Sequence, residues 1–158
     1  MNNIQLEAAM FKKILVATDG SPLSIAAASA AIEFAAASGA SIVGLSLAQF
    51  YPFLLMPEAG AMVDLSVYEE AQDQMAQQAV KKLEEQAKTA GVHCVVFTKR
   101  AVHPYEEIIS TAHENACDLI WMASHGRRGL DKLLLGSETQ RVLAHSAIPV
   151  MVYRQPPV

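Results

Sequence analysis

The chain has 158 residues, 52% of them hydrophobic, with a net charge of −4. That length fits one domain able to bury a core without disulfide or metal staples, and the hydrophobic content excludes a disordered tail. The acidic balance leaves no basic footprint for nucleic-acid binding.

In chain order, Lys12 to Thr18 reads as a strand and Asp19-Gly20-Ser21-Pro22 as a turn with a helix start, proline sitting where a missing N–H costs nothing. An alanine-rich helix follows to about Ser38 and stops at Gly39, and Ser41 to Leu47 is the second strand. The stretch from Phe50 to Met62 is apolar and broken by prolines, so it is no regular helix. Packing over the sheet edge, a lid beside a ligand and a surface for a protein partner all fit it. Val63 to Ala90 is a long helix ending at Gly91, whose charged residues Glu69, Glu70, Asp73, Lys81, Lys82, Glu84 and Glu85 read as a solvated face. His93 to Thr98, Asp118 to Ala123 and Pro149 to Tyr153 read as strands three to five, with helices over Pro104 to Asn115 and Ser137 to His145 between them.

This alternation predicts a single-domain, doubly wound parallel α/β sheet with helices on both faces. Cys94 and Cys117 fit neither a C-x-x-C nor a zinc spacing and read as reduced thiols. His93, His103, His113 and His145 lack metal-ligand spacing. The first ten residues have no basic n-region or long apolar core, and no run approaches a membrane span, so the expectation is a cytoplasmic protein without membrane insertion.

In doubly wound sheets a ligand sits at the carboxyl ends of the strands where the strand order reverses. With strands one and four as neighbours, Thr18 and Asp19 would face Ala123 to Gly126 across that crevice. Asp19 suits ribose hydroxyls, a magnesium ion reached through water, or an Asx turn. The fourth strand opens into Ala123-Ser124-His125-Gly126, followed after nine residues by Gly136-Ser137 and a helix. Glycines let backbone approach an oxyanion and the N–H groups of the following helix point at it, which is how α/β proteins hold phosphate. Ser137 to Gln140 also fits a capping box, a role compatible with a phosphate contact. His125 suits a general base, a phosphate donor or a bond to backbone, and Arg127, Arg128 and Lys132 suit either triphosphate neutralisation or a solvated basic loop. There is no P-loop lysine and no dinucleotide fingerprint.

From about Phe11 to Arg154 the chain resembles the universal stress protein family. The resemblance is carried by Ala123-Ser-His-Gly126, nine residues and Gly136-Ser137, against the family's Gly-x-x-Gly, nine residues, Gly-Ser/Thr. Thr18-Asp19-Gly20-Ser21, His103-Pro-Tyr-Glu-Glu-Ile108 and Ile148-Pro-Val-Met-Val-Tyr153 support it. It implies strand order 3-2-1-4-5, a nucleotide-binding domain over residues 11–154 with an extension at 1–10 and a tail at 155–158, and ATP (or ADP or AMP) with Mg2+ as ligand.

By the same resemblance, Ala17, Thr18 and Asp19 border the adenosine and Leu47 offers backbone groups to the base. Ala123 and Gly126 line the ribose and phosphates, with His125 and Arg127 beside them, and Gly136, Ser137 and Glu138 hold the phosphate chain. Two positions depart from the pattern: Ala123 replaces the loop's first glycine, harmless at negative φ and costly in the left-handed region, and Val102 stands where a glycine is common. The implied function is an ATP-binding stress-response regulator; the alternative is a slow ATP-hydrolysing or adenylyl-transfer enzyme of the adenine-nucleotide α-hydrolase-like group. The fifth strand should lie at a sheet edge, a template for another strand. The resemblance implies a homodimer pairing Val150, Met151, Val152 and Tyr153 antiparallel across a two-fold axis, with Gln155-Pro-Pro157 ending the strand.

Overall fold

The computed structural model describes residues 10–50, 65–127 and 134–155. Residues 51–62 of the apolar stretch, Arg128 and Lys132 of the basic loop, residues 1–9 and Pro156-Pro157 lie outside the described residues.

Nine elements alternate among the described residues: β1 (Lys13–Ala17), α1 (Pro22–Ser38), β2 (Ser41–Gln49), α2 (Leu65–Thr89), β3 (Cys94–Ala101), α3 (Pro104–Glu114), β4 (Leu119–Ala123), α4 (Ser137–His145) and β5 (Val150–Tyr153). The five described strands form one sheet in the order β3-β2-β1-β4-β5, every pairing parallel. The doubly wound fold and the 3-2-1-4-5 order expected from the sequence are both present.

Local chemistry sets the boundaries. Ser21 caps α1, its hydroxyl accepting the Ser24 amide at 3.3 Å, with Pro22 in the first turn. At the other end Gly39 adopts φ +74°, the left-handed conformation that closes a helix. Between them Ala27, Ala28, Ala31 and Ala35 are buried, small residues that let the helix settle close on the sheet. One core lies on the α1 and α2 face, around Ile14, Val16, Ile32, Ile42, Leu83 and Trp121. The other lies on the α3 and α4 face, around Leu15, Val43, Leu45, Ile108, Ile120 and Val142. Every residue of β4 is buried, as a strand covered on both faces requires.

β3 runs three residues beyond the expected end at Thr98. Lys99, Arg100 and Ala101 stay in register with Leu47, Ala48 and Gln49 of β2. The apolar pattern ends at Phe97, but the two cations that follow point to opposite faces and each finds acids there. Lys99 bonds Glu107 at 2.7 Å and Glu114 at 3.1 Å on α3, while Arg100 pairs with Glu69 and Asp73 on α2. Charge therefore extends a strand that hydrophobicity alone would have stopped. Cys117 is buried and Cys94 half-buried, and burial pushes both thiols up to about 11. No helix of the described residues is long and apolar enough to cross a membrane.

Candidate functional site

β1 lies between β2 and β4, so the chain winds outward from it in both directions and leaves a crevice at the strands' carboxyl ends. On the β1 side, the Thr18 amide still donates to Leu45 O at 2.9 Å. The chain then turns through Gly20, whose φ of +74° suits glycine. Thr18 Oγ1 takes the Gly20 amide at 3.3 Å and pairs with Ser24 Oγ at 3.0 Å. On the β4 side, the Ser124 amide donates to Tyr153 O at 2.8 Å, the Gly136 amide to Ser124 O at 2.7 Å, and Thr139 Oγ1 to Ala123 O at 3.1 Å. These bonds dock the start of α4 directly on the end of β4.

Asp19 joins the two sides. Its Oδ1 accepts the Ser21 amide at 2.9 Å, the expected Asx turn, and its Oδ2 accepts the Arg127 amide at 2.8 Å from across the crevice. Burial pushes this carboxyl up, but hydrogen bonds from Ser21, the Arg127 backbone and Ser24 outweigh it and hold the group below its ordinary value. The carboxylate is therefore ionised at neutral pH.

The expected capping box at Ser137 is not formed. The cap position is Gly136, with φ −59° and ψ 151° and no side-chain cap bond, and Ser137 is the first helical residue. Gln140 donates its amide to Gly136 O at 3.0 Å and its side chain to Leu135 O at 2.6 Å, so it does not reach back to a serine cap. The helix starts one residue earlier than a serine cap would need, on a glycine that carries no acceptor. Ser137 is exposed, and the amides of Ser137 and Glu138, at a helix start, have no acceptor among the described residues. The Glu138 carboxylate looks elsewhere, accepting the Tyr105 amide at 2.9 Å and so capping α3.

β2 outruns β1. The last β1 pair is Ala17 with Leu45, and Ser41 N–H and Leu45 C=O both point to the β1 side. By the two-residue alternation of a strand Leu47 points the same way, past the end of β1, which leaves its backbone open to the crevice.

All eleven sequence candidates, Ala17, Thr18, Asp19, Leu47, Ala123, His125, Gly126, Arg127, Gly136, Ser137 and Glu138, line one cavity of about 630 Å³. His125 holds its Nδ1 3.2 Å from Ser124 Oγ. The Arg127 guanidinium reaches Met75 Sδ on α2 at 3.4 Å.

The model of the universal stress protein family matches residues 10–154. The chain belongs to the universal stress protein family. It is 33% identical over 147 residues to the universal stress protein MJ0531 of Methanocaldococcus jannaschii, covering 93% of this chain and 84% of that one. Among solved structures, MJ0577 of the same organism superposes with a TM-score of 0.73 at 26% identity, over 94% of this chain and 99% of that one. Two further neighbours share the fold: a universal stress protein in complex with cAMP (TM-score 0.67, 22% identity, 92% and 99% covered) and one from Archaeoglobus fulgidus in complex with dAMP (0.59, 18%, 89% and 96%).

The two departures of this universal stress protein from the glycine pattern carry no backbone strain. Among the described non-glycine residues only Ala116 has positive φ, so neither Ala123 nor Val102 is left-handed. Ala123 closes β4 and is 7% exposed. Ala123→Gly is expected to lower stability by about 0.5–1 kcal/mol, the usual cost of glycine in a strand, and to change ligand affinity by less than about tenfold. Calorimetry and a melting curve on the same variant check both; a much larger gain in affinity would mean that Cβ at 123 obstructs the site.

Sequence reading missed one wall of the cavity. Gln72, Met75 and Ala76 of α2 line it, as do Ser46 of β2 and Val102. The trio has i, i+3, i+4 spacing, and Ala76 begins the buried stripe of α2, so these residues sit where that stripe runs out to the crevice. No cluster of three or more metal-ligating side chains occurs among the described residues. Asp19 is an ionised carboxylate lining the cavity, with an amide bond to each oxygen, a donor type suited to a magnesium ion held mainly by ligand phosphates and water.

Proposed function

We propose that this universal stress protein binds an adenine nucleotide at the carboxyl ends of β1 and β4, with ATP and magnesium as its working ligand, and serves as a stress-response regulator whose shape or partner choice changes with occupancy. The observation that carries this reading is the convergence in one cavity of three kinds of recognition group: open Leu47 backbone for a base edge, the Asp19 carboxylate for ribose hydroxyls, and the α4 N-terminal amides for phosphate. The apolar walls at Leu45, Met122 and Ile108 suit a planar base, and the volume suits a ligand of nucleotide size. Neighbours of the same fold bind cAMP and dAMP, which agrees with an adenine ligand. In this arrangement Ala17 and Thr18 border the adenosine, Ala123 and Gly126 floor the ribose, and Gly136 gives close backbone approach while its own N–H stays with Ser124. Asp19 would hold a magnesium ion through water, and the chemistry that ion would supply is neutralisation of the phosphate chain.

Ligand at about a hundred times its Kd is expected to stabilise the fold by roughly 2.7 kcal/mol, or about 5–10 °C in melting temperature. Thermal titration with ATP, ADP and AMP, each with magnesium to millimolar concentration, measures this. A flat response to all three would refute nucleotide binding.

A further inference from the structure

The glycine at 126 has no conformational reason to be glycine. Its φ lies outside the left-handed region, so the backbone there would accept an alanine. What forbids a side chain is one atom: a Cβ built on Gly126 would sit 2.6 Å from Asp19 Oδ2. Such a clash costs little when the obstructing atom is the loose end of a side chain. Here the carboxylate is pinned, Oδ1 by the Ser21 amide at 2.9 Å and Oδ2 by the Arg127 amide at 2.8 Å. Swinging it away gives up a charge-assisted bond between the two halves of the crevice.

We propose that Asp19 is the positioning residue of the glycine loop: its carboxylate clamps the Arg127 amide, and Gly126 is required because this carboxylate, rather than any turn geometry, occupies the space a side chain would need. The clamp also sorts the donors. With the Arg127 amide committed to Asp19, and a negative charge placed against that part of the loop, that amide is withdrawn from the donors open to an anion. This last consequence rests on the nucleotide reading above, and it takes the Arg127 amide out of the phosphate site.

The test begins with ligand-free, 15N-labelled protein and amide exchange at Arg127. Asp19→Ala is expected to speed exchange at Arg127 by about tenfold or more, the loss expected when an amide gives up a charged acceptor. If that variant does not fold, Asp19→Asn serves: it keeps the shape but removes the charge from the acceptor, so exchange is expected to rise at Arg127. A double-mutant cycle on thermal stability then reads the steric half. Gly126→Ala is expected to destabilise the protein when Asp19 is present and to cost little in the Asp19→Ala background, a non-additive pair. Additive penalties, or unchanged Arg127 exchange, would overturn the clamp. Neither measurement needs ligand, so a protein that binds no nucleotide would refute the function proposed above and leave the clamp to be decided by its own readouts.

Discussion

Ser137→Pro is expected to weaken nucleotide binding by about ten- to a hundredfold while leaving the fold as it is. Proline is favoured at the first position of a helix, where its fixed φ is already right and the N–H it lacks has no intrahelical partner. Ser137 occupies that position, it is exposed, and Gly136 before it has φ −59° and ψ 151°, the extended geometry that a residue preceding proline adopts. Melting temperature should therefore stay unchanged or rise slightly, since proline also restricts the unfolded chain. What the substitution deletes is one amide and one hydroxyl pointing at the proposed phosphate. A hydrogen bond to a charged group is worth about 1.5–3 kcal/mol, so affinity for ATP with magnesium should fall by about ten- to a hundredfold. Ser137→Ala, which keeps the amide, should lose less. Calorimetric titration beside a circular-dichroism melt separates the outcomes: unchanged affinity in a folded Ser137→Pro protein would show that α4 does not hold the phosphates.

The sequence made the sheet legible because its central strands β1, β2 and β4 are buried on both faces and read as apolar runs, β4 most clearly in Leu119 to Ala123. It made the crevice legible because glycines, a serine and a turn aspartate cluster at strand ends. Three features were hidden, each for a physical reason. The extension of β3 is accompanied by acids on other elements, Glu107 and Glu114 of α3 and Glu69 and Asp73 of α2, which meet Lys99 and Arg100 only after folding. The open backbone of Leu47 depends on β2 being longer than β1, a relation between two strands that neither states alone. And Asp19 offered a choice between Asx turn and ligand contact, whereas its two oxygens serve the turn and the opposite loop at once. Residue type and spacing show what a group can do; the partners that decide among its options arrive with the tertiary structure.

The other large effect is expected at β5, the sheet edge opposite β3. The Ile120 amide of β4 donates to Pro149 O, and the amide of Ser124, just past the strand, donates to Tyr153 O, both at 2.9 Å or less, so the backbone groups of the odd-numbered residues of β5 face β4. By alternation Val150 and Val152 present their N–H and C=O groups outward, and Met151, 41% exposed, adds an apolar side chain beside that edge. The homodimer that the family resemblance implies would pair two such edges antiparallel about a two-fold axis, so one substitution would change the interface twice. Val152→Pro removes an outward donor without touching the β4 ladder, and losing about 0.5–1.5 kcal/mol per bond, in two copies, should weaken the dimer by about five- to a hundredfold. Met151→Pro instead strikes the bond to β4 and should lower the melting temperature of the subunit itself. Sedimentation velocity across micromolar concentrations reads the first effect and thermal melting the second. A stable 17.0 kDa monomer for the unmutated chain would rule out the strand-paired dimer. A dimer indifferent to Val152→Pro would place the interface on another surface.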